Sequence, residues 1–434
     1  MTCMIDFFMT SKNNSDQDIA RRSFLATSLG ATAVAMIGQT VAEAANTKPA
    51  ASQTHAVGSL VNKESPFMKI GVHKVSMAAP NDVSELAKLI DGGQVNAAEI
   101  VALIGKTEGN GGVNDFTRGF ATLSYQLMLA QKLNVTPEEI AKRVVFVWSG
   151  GTEGVLSPHA TVFTRSASAT RAASARLAMG IKVTRDIAPE EVGTMVQVRV
   201  VAAAVLQCLQ EAGITDTKQV HYVQVKGPLL TPASIADADR RGKRLITRDP
   251  NGSKPYARGA MALGVALALG EVNEKDLSDE IITRRLDLFS SVALTSAGGE
   301  VKNCEVLLFG NSVNACSDFQ VGHGVLQNAI DADGVRATLR NAGMVFDCNP
   351  SQEQTHQIVS VFAKGEASPN GEIYGRRNTM LSDADINYER HSRAAVGAVI
   401  ASITLDPAIF VSGGTEHQCA PGAAPIVAIV RAEI

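Results

Sequence analysis

Several common classes of protein are excluded by what this chain has little of. Aromatic residues make up 5% of its 434 positions, with a single Trp. That is too few for the stacking platforms that hold single-stranded nucleic acid. Net charge is only −3, so no broad field of one sign draws in a polyanion or an anionic membrane surface. Nucleic-acid and membrane partners are therefore not expected. The six Cys (Cys3, Cys208, Cys304, Cys316, Cys348 and Cys419) are scattered, without the spacing of a metal site. Cys304 and Cys316 are the pair nearest in sequence for a disulfide. "GNGG" at Gly109 lacks the spacing and the Lys-Ser/Thr of a phosphate loop, and no organic cofactor is expected. What remains is 45% hydrophobic and 19% charged, a globular, soluble composition with length for two or three domains.

The N-terminus stands apart. "DIARRSFLATSLGATAVAMIGQTVAEAAN" carries Arg21 and Arg22, then Phe24 and Leu25, then an Ala/Gly-rich stretch ending in Ala42-Glu43-Ala44. The pattern predicts a twin-arginine signal peptide over 1–44 with a small-residue cleavage site. Its apolar stretch is too short and weak to span a bilayer. Residues 45–66, rich in Ala, Ser, Thr and Asn, then read as a flexible mature N-terminus. The leader predicts a periplasmic protein.

After that the chain repeats itself three times. "SGGTE" occurs at Ser149 and again at Ser412, each after a short apolar run, with "TSAGGE" around Ser296 as a drifted middle copy. Each copy closes the same series: strand, helix, a strand ending in Lys, an Arg-led helix, a strand ending in Ser. The Lys are Lys106, Lys226 and Lys364; the Arg are Arg118, Arg258 and Arg393. The repeats are assigned as 67–175, 176–314 and 315–434. Their period exceeds that of solenoids. The pattern predicts α/β layers in three homologous domains around a pseudo-threefold axis. The Ala/Gly-rich Arg-led helices are expected to pack close to that axis.

One Ser-Gly-Gly is an ordinary turn and one Lys at a strand end an ordinary edge charge. The same three residue types in the same order three times point instead to a shared ligand. Ser149, Ser296 and Ser412 are followed by Gly150, Ala297 and Gly413, small residues that let backbone N–H groups approach a ligand oxygen. No His recurs with the three Ser: His159 and His417 each occur once. A Lys can act as base when burial or neighbouring cations depress its pKa. The three Arg suit carbonyl or anionic oxygens. Symmetry alone does not say which Ser attacks. Cys419 beside His417 has no Cys counterpart in the other repeats, and the calcium-like run Asp383, Asp385, Asn387 lacks the glycine and terminal acid of an EF-hand; both are read as structural.

From about Met68 to its end the chain resembles the cyanuric acid hydrolase and barbiturase family of ring-opening cyclic amide hydrolases. The segments that carry the resemblance are "GKTEGNGGVNDFTRG", "SGGTEGVLSPH", "HYVQVKGPLLTPA", "TSAGGE", "TMLSDADIN" and "SGGTEHQ", spread over all three repeats. It implies a Toblerone-like fold, a homotetramer, and hydrolysis of carbon–nitrogen bonds in a small cyclic amide. By resemblance Ser296 is the nucleophile and Lys226 its base, acting through an acyl-enzyme. Lys106, Lys364, Ser149 and Ser412, with Gly150, Ala297 and Gly413, would hold substrate. Arg118, Arg258 and Arg393 would clamp ring oxygens. The family also carries a structural divalent ion near the third repeat. Here it would fall to Glu366 and to groups on the loop after Ser412: Thr415, Gln418, Cys419, Ala420 and Ala423, backbone carbonyls among them. Oxygen ligands suit Mg²⁺ or Ca²⁺. That loop reads "TEHQCAPGAAP", so Cys419, Ala420 and Ala423 depart from the Gly-Pro-rich run of the family.

Three intact Arg match a triazine with three equal edges, which makes cyanuric acid the leading single substrate. The altered loop and the export leader lean away from a triazine, toward another cyclic ureide or imide; a barbiturate is the remaining alternative. An exported binding protein of the same fold, without turnover, would need the Arg clamps but not a poised base.

Overall fold

The Lys-bearing segments "IVALIGKT", "VHYVQVKGP" and "IVSVFAKG" are near-continuous β-branched and apolar runs. Such runs suit strands covered on both faces, and all three become interior strands. The structure, a computed structural model, describes residues 67–432. The Arg21–Arg22 leader and the stretch 45–66 lie outside the described residues.

The first sheet contains β1 (Phe67–Ser76), β2 (Ile100–Thr107), β3 (Val145–Gly150) and β4 (His159–Ser168), in the order β1-β4-β2-β3. The second contains β5 (Arg176–Asp186), β6 (Val220–Pro228), β7 (Ala293–Gly298) and β8 (Asn303–Ser312), ordered β5-β8-β6-β7. In the third repeat β9 (Phe319–Leu326) and β10 (Ile358–Gly365) are followed by a small hairpin of β11 (Glu372–Ile373) and β12 (Arg376–Arg377). Then come β13 (Phe410–Gly413) and β14 (Ala424–Arg431), and the sheet runs β9-β14-β10-β13. The order is the same three times. In each sheet the last strand returns antiparallel into the interior, and the Lys strand pairs in parallel with the Ser strand. The fourth strand is an addition to the five-element unit predicted from the sequence. Each Lys strand also slips register once against its antiparallel neighbour, at Ile100/Ala102, Val220/Tyr222 and Ile358/Ser360, a bulge that bends the strand.

The inner faces of the three sheets meet in one core. Ile70, Val72 and Phe163 come from the first, Met179, Tyr222 and Phe309 from the second, Val321, Phe362 and Phe410 from the third. Aromatic rings link them: Phe163 to Phe309 and Phe309 to Tyr222 at 5.0 Å, Tyr222 to Phe362 at 5.0 Å, and Phe362 to Phe410 at 6.0 Å. Pairs of this kind add about 0.5–1.5 kcal/mol each beyond the area they bury.

Helices cover the outer faces. They are α1 (Ser84–Asp91), α2 (Thr117–Leu133) and α3 (Pro137–Arg143) on the first sheet, and α4 (Met195–Ala212), α5 (Pro232–Arg240) and α6 (Ser253–Leu269) on the second. The third repeat has α7 (Ala332–Asn341), α8 (Gln352–Thr355) and α9 (Tyr388–Thr404). The long ones end on left-handed residues: Asn134, Gly213, Gly270 and Leu405.

One expectation is corrected. The Ala/Gly-rich helices do not pack near the axis, which strand side chains fill. Their small residues instead let the helices close on a neighbouring helix or on a loop of another repeat. A Cβ at Gly264 would lie 2.7 Å from the Val198 carbonyl of α4, and one at Gly397 2.6 Å from Leu156. Cys304 and Cys316, the pair nearest in sequence, are both free, with Cys304 near the Gln197 amide and the Cys316 thiol donating to the Met68 carbonyl.

Candidate active site

Parallel pairing explains why Lys and Ser recur together. The register sets Lys106 opposite Ser149, Lys226 opposite Ser296 and Lys364 opposite Ser412. Each pair stands where its two strands end, beside the first turns of α2, α6 or α9. One cavity takes in all three Ser and all three Arg, together with Lys226, Gly150, Ala297 and Gly413. Lys106 and Lys364 do not line it, and are fully buried.

Each Lys reaches into the repeat before it, the first into the third. Lys106 Nζ donates to the Val411 carbonyl at 2.7 Å, Lys226 Nζ to that of Trp148 at 3.1 Å, and Lys364 Nζ to that of Thr295 at 2.7 Å. In every case the acceptor belongs to the residue just before the neighbour's Ser. The three bonds close a ring of repeats.

A second ring holds the arginines. Arg118 Nε donates to Glu300 at 2.8 Å, Arg258 Nε and Nη2 to Glu416 at 2.7 Å, and Arg393 Nε to Glu153 at 2.8 Å. Each Glu stands four residues after its repeat's Ser. Further carboxylates support two of the clamps: Asp115 lies 3.3 Å from Arg118, and Glu389 3.0 Å from Arg258 and 3.2 Å from Lys254. These acidic residues were not singled out from the sequence. The signal for the three Glu was present, as the last letter of "SGGTE".

Burial and charge act against each other here. Burial lowers the pKa of all three Lys: Lys106 falls well below its ordinary value with Arg393 adding to the effect, and Lys364 comes to about 7 with Arg258 adding to it. Burial lowers Lys226 too, while Glu300 pulls the other way. Burial would raise Glu300, but Lys226 and Arg118 outweigh it and bring it to about 2. Glu389 reaches about 2 in the same way, against burial, through Arg258 and Lys254.

The middle repeat breaks the symmetry. Gly151 and Gly414, two residues after Ser149 and Ser412, take positive φ of 100° and 80°. At Gly414 a Cβ would fall 2.3 Å from Arg258 Cζ. Gly298, at the same place after Ser296, is not in that region. Lys106 and Lys364 also donate to carbonyls of their own turns, Gly150 at 3.3 Å and Gly413 at 2.9 Å. Lys226 contacts the Glu300 carboxylate at 2.7 Å instead. Lys106 Nζ donates to Ser149 Oγ at 3.1 Å, whereas Ser296 Oγ is sealed from solvent and has no hydrogen-bond partner.

The residues expected to hold a divalent ion lie beside this site. Glu366 Oε2 accepts from the Thr415 amide at 3.0 Å and hydroxyl at 3.1 Å. A cavity next to it is lined by Thr415, Glu416 and Cys419. Glu366, the Thr415 hydroxyl and the carbonyls of this loop, those of Ala420 and Ala423 among them, suit a hard cation. Two side chains of the expected set do not. Gln418 Oε1 accepts from the Thr295 amide at 2.7 Å, and the Cys419 thiol donates to the Ala423 carbonyl at 3.0 Å. Burial pushes Cys419 up to about 12, which disfavours its thiolate. Among the described residues no three His, Cys, Asp or Glu side chains gather as a metal site. Asp383 and Asn387 serve α9, the first bonding His391 at 3.0 Å and the second capping the helix.

A family model described as amidohydrolase ring-opening protein matches residues 71–431. A cyclic amide hydrolase of Azorhizobium caulinodans is 69% identical over 366 residues, 84% of this chain and 100% of that protein. Barbiturase 1 of a Nocardioides species is 41% identical over 368 residues, 83% of this chain and 98% of its own. A solved structure of cyanuric acid hydrolase superposes with a TM-score of 0.81 at 47% identity, covering 84% of this chain and 100% of that one.

Proposed function

This chain belongs to the amidohydrolase ring-opening family, as a hydrolase that opens cyclic amides, and from that premise we propose that Ser296 is its nucleophile and Lys226 its base. Ser296 Oγ attacks a ring carbonyl carbon while Lys226 takes the hydroxyl proton. Backbone N–H groups of the turn at Ala297 and Gly298 stabilise the oxyanion. The ring carbon–nitrogen bond breaks, and Lys226 returns its proton to the leaving nitrogen. Water, deprotonated by Lys226, then cleaves the acyl-enzyme and restores Ser296. Arg118, Arg258 and Arg393 hold the other ring oxygens, each kept in orientation by a carboxylate from the next repeat.

The observation that supports this choice is the Ser296 hydroxyl. Among the three Ser it alone is both sealed from solvent and without a partner, which leaves it for a ligand. One observation favours a second reading, the direct Lys106–Ser149 hydrogen bond, which would place the dyad in the first repeat. Single and double substitutions separate them. Ser296→Ala, Lys226→Ala and the double variant each lose turnover on the order of 10³-fold or more, non-additively. Ser149→Ala and Ser412→Ala weaken binding by about 1–3 kcal/mol and keep turnover. With a slow substrate, mass spectrometry of quenched enzyme finds an acyl adduct on the Ser296 peptide; an adduct on the Ser149 peptide overturns the assignment in favour of the first repeat.

For the substrate we propose cyanuric acid first, because three like Lys–Ser–Arg sets suit a ring with three like edges. A barbiturate or another cyclic ureide or imide is the alternative, decided by an ultraviolet ring-opening assay over a panel of such rings. Binding without turnover across that panel would identify an exported binding protein instead. The reading includes a periplasmic homotetramer. It also includes a structural Mg²⁺ or Ca²⁺ held by Glu366, Thr415 and the loop carbonyls, which would fix the turn after Ser412 and take no part in the chemistry.

A further inference from the structure

Glu305 lies on β8, directly across the antiparallel ladder from Lys226. Cross-strand partners share a face of the sheet, with Cβ atoms about 5 Å apart. The first repeat has His159 opposite Lys106. In the third the ladder ends at Ala363–Ile426, and the next residue along is Pro425. Only the middle repeat places a carboxyl there. Lys226 already donates to Glu300 and to the Trp148 carbonyl. Glu305 keeps some exposed surface, yet its Oε2 is sealed from solvent and has no hydrogen-bond partner. A carboxylate in that position lacks the hydrogen bonds an ionised oxygen needs.

We propose that the charge on Glu305 sets the pH at which Lys226 becomes the free amine that receives the Ser296 proton. The proposal rests on the reading of Lys226 as base. A pair holding one proton is either ammonium beside carboxylate or amine beside neutral acid. Nζ contacts Glu300 and the Trp148 carbonyl but not Glu305, so the two couple through charge: an ionised Glu305 favours the ammonium and a neutral one the amine. Glu305 thus acts through Lys226, as a positioning residue for the proton. Burial pushes Glu305 up to about 8, with Lys226 opposing and Glu300 adding to the rise, which keeps the neutral acid within reach. The charged groups that face it are Lys226 from β6 and Glu300 from the turn after β7, with Arg118 behind Glu300. Its partner on β5 is Val183, which carries no charge.

The test is the pH dependence of Lys226 acetylation by acetic anhydride, read peptide by peptide in the full-length wild type and in Glu305→Gln. The amide mimics the neutral acid and cannot ionise. The midpoint of Lys226 reactivity therefore falls in the variant by about one pH unit, and the acid limb of kcat/KM falls with it. An unmoved labelling midpoint overturns the proposal. If labelling moves and the acid limb does not, the Glu305–Lys226 coupling stands and Lys226 is not the base. Should Glu305→Gln fail to fold, Glu305→Met, also uncharged and of similar length, gives the same expectation.

Discussion

Glu153→Gln, Glu300→Gln and Glu416→Gln are three copies of one perturbation, and they should have unequal outcomes. Each removes the carboxylate from an Arg whose side chain is only 3–4% exposed, while the Glu side chains are 15–19% exposed. Breaking a buried ion pair costs about 3–5 kcal/mol. Partial exposure and the second carboxylates on Arg118 and Arg258 reduce this to about 2–4 kcal/mol. Linkage gives a similar figure. Holding Glu300 near 2 rather than at its ordinary 4.5 corresponds to about 3 kcal/mol. The sign follows from the depressed value: the stabilisation is present above about pH 4.5 and is lost as pH falls toward 2. Denaturant unfolding at pH 7 should therefore show all three variants less stable than wild type, with the gap for Glu300→Gln closing at pH 2–3. Kinetics should separate them. Only Glu300 contacts its own repeat's Lys, and there it favours the ammonium form. Glu300→Gln should move the acid limb of kcat/KM to lower pH, and the other two should leave it in place. A displaced limb in Glu153→Gln alone would move the dyad to Lys106 and Ser149. Equal limbs in all three, or destabilisation below about 0.5 kcal/mol, would refute the reasoning outright.

Replacing Glu366 with Ala should lower the melting temperature and remove any stabilisation by added Mg²⁺ or Ca²⁺; native protein free of metal by elemental analysis, with unchanged melting, would end the divalent-ion proposal. Arg21→Lys with Arg22→Lys should leave the precursor in the cytoplasm, and mature protein recovered outside by fractionation would dismiss the export reading.

The parts of the fold and site visible in the sequence are those set by local pattern. β-branched runs ending in Lys or Ser mark strands, and two such ends in one repeat meet because their strands pair in parallel. Helices α4, α6 and α9 are announced by small apolar residues, and α4 and α6 by a closing Gly as well. Pattern does not say where an element goes next. The runs "HATVFTRSAS", "NCEVLLFGNS" and "APIVAIVR" each hold apolar residues, yet nothing local shows that each returns to the middle of its sheet. Small residues promise close packing without naming the partner, and strand side chains, not these helices, fill the axis. The Arg clamps join residues 182, 158 and 240 positions apart. No spacing within one repeat reveals them, because each Glu serves a neighbour. The Gln418 side chain is equally out of reach of local pattern: its oxygen accepts the amide of Thr295, in another repeat.

The two closed rings of Lys–carbonyl and Arg–Glu contacts mean that no repeat owns a complete binding corner. An assembly of three separate identical chains would obey strict symmetry, and any substitution would appear at all three corners together. Covalent fusion removes that constraint. Ala297, the altered turn at Gly298, the double duty of Glu300 and the carboxyl of Glu305 all sit at one corner, while the other two keep the Gly-Gly-Thr-Glu turn. A single polypeptide is thus free to specialise one corner for chemistry and leave the others to hold the ring.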